Sequence, residues 1–164
     1  SLDFEKINFR KRPNLYRIGR GEEGVLLVEP YKSEILPFWA FENEAQAAES
    51  SDKIFALFLE YLENNDFVGA DMARKFLLMG YTRARRYANH KKGSIKTGRK
   101  HKGATPKIKV VVAQENQTEK PQRSPEELAK VAVAKIFKEK SDQAKSNEKY
   151  IELKEKFNEM IRTN

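Results

Sequence analysis

One stretch restricts this chain of 164 residues more than any other: residues 72–114 contain 13 Lys and Arg and not a single Asp or Glu. Such a block repels itself unless it is dispersed in solvent or matched by bound anions. The acids lie elsewhere. Residues 1–71 hold 8 Lys/Arg against 14 Asp/Glu, residues 115–164 hold 11 against 10, and the formal net charge of +8 therefore originates in the one block. The core has to come from the apolar residues distributed around that charge. With 39% of residues apolar and 34% charged, the chain suits one soluble domain with a limited core and some solvated segments.

Apolar spacing divides the chain into four parts of a single domain spanning 1–164. The first, 1–44, reads as a β-hairpin followed by an aromatic-rich segment. In "YRIGRGEEGVLLVEPY", residues 16–31, Tyr16 and Ile18 lead into a glycine-rich turn and Val25 to Val28 return, with Gly21 and Gly24 free to take positive φ. Pro30 and Pro37 punctuate the path, and Phe38, Trp39 and Phe41 supply bulk. Gly19, Gly21 and Gly24 also fit a bare dinucleotide fingerprint, but no βαβ unit follows, and Glu22 and Glu23 stand where phosphates would sit.

The second part, 45–90, reads as a helical core. Positions 47, 51, 54, 55, 58 and 62 recur at helical spacing. Asp66 is placed to cap a following helix whose Val68, Met72, Phe76 and Leu77 face inward, with Gly80, Ala84 and Tyr87 on about the same side. Gly80 in mid-helix costs about 1 kcal/mol relative to Ala. It predicts either a close neighbour, or a helix end with Thr82 capping a second short helix. The third part, 91–123, rich in Gly, Pro and Lys, reads as a basic flexible loop in which only Ile108 to Val112 has strand character. The fourth, 124–164, opens with Ser124-Pro125-Glu126-Glu127, a helix start with a capping box. A stripe of Leu128, Val131, Ala132 and Ile136 follows, with Phe137 beside it, and then a last helix that buries Tyr150, Ile151, Leu153, Phe157 and Ile161. The expectation is a mainly helical α+β fold, with an N-terminal β-hairpin, about four helices and a basic loop.

"DFVGADMARKFLLMGYTRARRYANHKKG", residues 66–93, resembles the signature of the domain of unknown function 4385 family, found in bacteria, bacteriophages and some eukaryotes. "LYRIGRGEEGVLLVEPYKSEILPFWAF", 15–41, and "SPEELAKVAVAKIFKEK", 124–140, are similar to its other blocks, so the resemblance spans most of the chain. It implies one compact domain and no particular activity. Family members tend to carry basic residues where this chain has Ala40 and Glu42, and a polar residue at Leu78. Anything bound through those positions in relatives would be bound less well here.

Several chemistries are disfavoured by composition. The absence of Cys removes disulfides, thiolate nucleophiles and Cys-type zinc sites. His90 and His101 are both surrounded by cations, a poor setting for a metal ion. Asp66 and Asp71 read as a cap and as the i+4 partner of Lys75 rather than as a catalytic pair. No metal, cofactor or catalytic residue is expected. A metal-free phosphodiester enzyme built on Arg86, Tyr87 and His90, with Tyr87 as nucleophile, is the least favoured alternative. No apolar run approaches the length of a membrane-spanning helix, and the N-terminus lacks the pattern of a secretory signal. A cytoplasmic protein without membrane contact is therefore expected, in the host cytoplasm if the chain is phage-encoded.

On a helix, Arg83, Arg86 and His90 share a face beside Tyr87, with Arg85 nearby, and Lys91, Lys92, Lys96, Arg99, Lys100 and Lys102 extend the positive field. Guanidinium groups match phosphate oxygens bidentately, and a tyrosine ring either stacks on a base or packs under a guanidinium. These residues point to a non-enzymatic nucleic-acid-binding protein, for DNA or RNA. The alternatives are internal pairing of the arginines with the acidic N-terminal region, or an assembly or regulatory protein that docks on an acidic protein partner. A helix-turn-helix outline over 66–89 fails on spacing, because Ala73 to Gly80 is too long an interval.

Overall fold

The computed structural model describes residues 2–89 and 124–163. Among these residues there is no strand. Five helices carry the architecture: α1 (Tyr31–Ile35), α2 (Glu44–Glu63), α3 (Phe67–Asn89), α4 (Pro125–Ser146) and α5 (Glu148–Thr163), with short 3₁₀ turns at Pro13–Leu15 and Leu36–Phe38.

The expected β-hairpin over 16–31, and the α+β class with it, are overturned: the described residues form an all-helical protein. Consecutive tight turns occupy the glycine-rich segment. Glu23 N–H donates to the Arg20 carbonyl, Val25 N–H to that of Glu22, and Leu27 N–H to that of Gly24. Gly21 and Gly24 do take positive φ, at 54° and 81°, but they close local turns instead of reversing a ladder. Side-chain spacing gives the reason. Val25 and Val28 are buried while Leu26 and Leu27 are 45% and 52% exposed. A spacing of three suits stacked turns, and it breaks the two-residue alternation of a half-buried strand. The strand character of Ile108 to Val112, and the basic loop around it, lie outside the described residues.

Helix α2 forms where its periodicity places it. Asn43 caps it by accepting the Gln46 N–H at 2.8 Å, while the Gln46 side chain accepts the Glu42 N–H at 2.7 Å. Ala47, Ser51, Ile54, Phe58 and Leu62 are buried. At its C-terminus Asn65 takes φ 54°. Asp66 N–H then donates to the Tyr61 carbonyl and Asn65 N–H to that of Leu62, the paired bonds of a Schellman ending. Asp66 immediately caps α3, its carboxylate accepting the Gly69 N–H at 3.1 Å. Helix α3 then runs unbroken through Gly80 to Asn89, so no second helix starts at Thr82 and the helix-turn-helix outline is absent.

Helix α3 is the axis of the fold, flanked by α2 and α4, with α5 crossing its first half. Two glycines set how closely its neighbours approach. At Gly69 an added Cβ would lie 2.6 Å from the Tyr61 ring and 2.9 Å from Tyr31; at Gly80 it would lie 2.5 Å from the Phe137 ring. The close neighbour that Gly80 requires is therefore an aromatic side chain on α4. Val133, Phe137, Ser141 and Ala144 form the buried face of α4. The expected stripe of Leu128, Val131, Ala132 and Ile136 is rotated from it, and Leu128 and Val131 are exposed. Seating Phe137 on Gly80 fixes that rotation. In α5, Tyr150, Leu153 and Phe157 are buried as expected, but Ile151 is exposed.

Asp71, wholly buried in α3, joins three parts of the chain. Its carboxylate accepts the hydroxyls of Tyr16, from the N-terminal segment, and Tyr150, from α5, the latter at 2.7 Å. Arg74 pairs with it at 3.0 Å. The expected Asp71–Lys75 pair does not form. Lys75, also buried, donates instead to the Glu23 carbonyl at 2.7 Å and lies 5.5 Å from the Tyr16 ring centroid. Burial lowers its pKa, and burial together with Asp71 raises those of Tyr16 and Tyr150.

Two stability outcomes follow for urea unfolding. Gly80→Ala is expected to destabilise by about 1–3 kcal/mol through overpacking, despite the gain in helix propensity, and most of that cost should vanish in a Phe137→Leu background. Asp71→Ala strands a nearly buried guanidinium and should cost about 3–5 kcal/mol. An unchanged midpoint in either single variant contradicts the packing described.

Candidate functional site

The last turns of α3 carry the cations singled out by sequence. Arg83 is half-buried, and Arg85 and Arg86 are exposed. Positive side chains here complement the negative end of the helix dipole. Helical geometry puts Arg83, Arg86 and Tyr87 on one flank, since 83 and 87 are four apart and 83 and 86 three apart. Arg85 turns to the other flank, where it meets the Tyr81 hydroxyl at 3.4 Å and lies 5.9 Å from the ring centroid. Lys138 of α4 lies over the same ring at 5.6 Å. His90, Lys91, Lys92, Lys96, Arg99, Lys100 and Lys102 lie outside the described residues.

Tyr87, expected near the buried face, is 42% exposed, and Ala88 is buried in its place. One face of its ring lies nearly parallel to Phe41, with centroids 5.9 Å apart and planes at 21°. Phe41 in turn meets Trp39 at 4.9 Å, and Trp39 meets the fully buried Phe76 at 6.2 Å. The aromatic segment after Pro37 thus forms a row of rings from the core to the basic end of α3. No sequence pattern links Phe41 to Tyr87.

Seven of the 14 acids of residues 1–71 form ion pairs among the described residues, all with cations other than these arginines. Among the described residues, Glu34 and Asp66 are matched by Arg10, Asp71 by Arg74, Glu29 by Lys32, Glu49 by Lys53 and Asp52 by Lys140. Internal pairing of Arg83, Arg85 or Arg86 with a carboxylate is not observed among those residues.

A concavity, not foreseen from sequence, opens at the opposite end of α3. This groove of about 980 Å³ runs between α2, the start of α3, α5 and the N-terminal segment, with Leu57, Phe67, Leu153, Phe157 and Met160 among its walls. Its size is that of a small-molecule cleft. Polar groups at one side satisfy one another. Arg10 forks onto both Glu34 oxygens at 2.7 Å, Tyr61 donates to Glu34 at 2.7 Å, and Tyr31 donates to Asp66 at 2.7 and 2.8 Å. Tyr31 and Tyr61 have raised pKa values through burial and these carboxylates, so they stay protonated as donors. The Arg10 fork holds Glu34 below the usual carboxylate range, which makes it a weak proton acceptor near neutral pH. The cluster acts as a clamp of α1 on the α2–α3 turn. Its members are tens of residues apart, so periodicity and spacing give no sign of it. Among the described residues no cluster of His, Cys, Asp and Glu could hold a metal ion, and no helix is long and apolar enough to cross a membrane.

The Glu34 clamp carries a pH signature. A carboxylate whose pKa is depressed by folding stabilises fully above its unfolded value, about 4.3, and loses that contribution as pH falls through the folded value. Stability of the native protein should therefore drop below about pH 4.3, and Glu34→Gln should flatten this part of the profile while lowering stability at pH 7. Parallel profiles for the two proteins in urea titrations would exclude the contribution.

No curated protein and no solved structure matches the chain. Residues 1–160 match the family described as "Domain of unknown function (DUF4385)". The match covers all five helices except the last residues of α5, and the chain belongs to that family.

Proposed function

We propose that this protein is a non-enzymatic nucleic-acid-binding protein that holds phosphates with the basic end of α3 and the cationic sequence that follows it. The observation that carries this reading is the lack of any carboxylate partner for Arg83, Arg85 and Arg86 among the described residues. Seven of the 14 acids of residues 1–71 pair with other cations, and none of the remaining seven pairs with these arginines among the described residues. Sequence supports the same reading: Lys91, Lys92, Lys96, Arg99, Lys100 and Lys102 follow within the acid-free block. An uncompensated set of guanidinium and ammonium groups gains most from a polyanion, because each phosphate contact releases condensed counterions. An acidic protein surface is the competing ligand, and it makes a different prediction with nuclease: a partner retained after nuclease treatment, with no affinity for purified nucleic acid.

Binding to single-stranded DNA, duplex DNA and RNA, titrated against salt, tests the proposal. Affinity should fall steeply and linearly in log–log form. Arg83→Ala with Arg86→Ala should flatten the slope by about 0.9 per lost contact on duplex DNA, or about 0.7 on single strands, without shifting the unfolding midpoint. No binding at low salt, or an unchanged slope in the double variant, would overturn it.

A further inference from the structure

We infer that the strand bound at this site is single-stranded, with an unpaired base stacked on the open face of Tyr87 and neighbouring phosphates on Arg83 and Arg86; this rests on the phosphate-binding reading above and specifies its ligand. Tyr87 differs from the other tyrosines. Tyr16, Tyr31, Tyr61 and Tyr150 each donate to a carboxylate, and the Tyr81 hydroxyl meets Arg85. Among the described residues the Tyr87 hydroxyl makes no hydrogen bond, and its ring is the exposed end of the row Phe76, Trp39, Phe41.

The platform is fixed before any ligand arrives. On one side of Phe41, Ala40 N–H donates to the Ser50 hydroxyl of α2 at 3.0 Å. On the other, the Glu42 carbonyl accepts Lys130 Nζ of α4 at 3.0 Å, and Glu42 N–H donates to Gln46 at 2.7 Å. Phe41 is thereby anchored to two helices, and it backs the Tyr87 ring from below. A ring immobilised on one face and open on the other binds a flat π-system with little further loss of rotamer entropy. Arg83 and Arg86, one helical turn apart at a rise of about 4.5 Å, flank it with charge. A planar ring bordered by cations matches a base joined to its phosphates. Inside a duplex both faces of every base are already covered, so only an unpaired base can use Tyr87.

The test uses the full chain with labelled single-stranded DNA, single-stranded RNA of the same sequence, the corresponding duplex and a free mononucleotide as competitor. Tyr87→Ala should weaken single-strand binding roughly 5- to 150-fold, the range of a lost base–aromatic stack. Tyr87→Phe should retain affinity. Tyr87→Leu, which can still pack on Phe41, should lose it as Ala does. Salt slopes should be the same for all three, since no phosphate contact is removed, and duplex affinity should not change. Emission of Trp39, the single tryptophan, together with urea midpoints, reports whether each variant keeps its fold. Equal affinity for duplex and single strand with no effect of Tyr87→Ala or Tyr87→Leu overturns the platform while leaving the phosphate reading intact. A mononucleotide that competes as well as the strand also overturns it. Absence of binding to every probe removes both.

Discussion

The carboxylate of Asp71 organises this protein. A buried charge is unfavourable unless it is paired and fully hydrogen-bonded. Asp71 meets that demand with Tyr16, Tyr150 and Arg74. The three come from the N-terminal segment, the final helix and the central helix, so satisfying one side chain requires the two ends of the chain to meet over the first turns of α3. Lys75, the next turn's neighbour, does the same for the glycine-rich turns by holding the Glu23 carbonyl. The non-helical backbone there bonds α3 through that carbonyl and closes its other hydrogen bonds in local turns.

Around this centre the two ends of α3 have different characters. Its N-terminal end is enclosed by carboxylates, tyrosines and Arg10, with charges matched at short range. Its C-terminal end carries arginines that no described carboxylate matches, and a tyrosine whose ring faces solvent on one side. Coulomb attraction between exposed groups is weak and screened, so an acid drawn to Arg83 or Arg86 would gain little. Asp71, Asp66 and Glu34 are held instead where burial and hydrogen bonds strengthen their pairing.

Much of the helical core was legible in the sequence. The periodicity of residues 45–62 locates α2, and Asp66 and Ser124 locate the starts of α3 and α4, while Gly80 left open a close neighbour or a helix end. These are local signals, set by a helical period or by a cap within one turn. Residues 16–31 form turns and not a hairpin because glycines that permit positive φ are equally suited to successive turns. Val25 and Val28 could be recognised as a three-residue spacing only once the face of α3 beneath them was known. The buried stripe on α4 differs from the expected one for a related reason: several apolar residues on that helix could face inward, and the seat of Phe137 on Gly80 chose among them.

By itself, then, the sequence determined where α2, α3, α4 and α5 begin, which of their residues are apolar at helical spacing, and that residues 72–114 form a basic, acid-free block. These follow from backbone hydrogen bonding, hydrophobic periodicity and charge, all of which act between near neighbours in the chain. Only the tertiary structure decided that Asp71 would be shared by Tyr16 and Tyr150, that Arg10 would close onto Glu34, and that Phe41 would back Tyr87. Each of those contacts joins residues far apart in sequence, and each depends on packing geometry that no local pattern encodes.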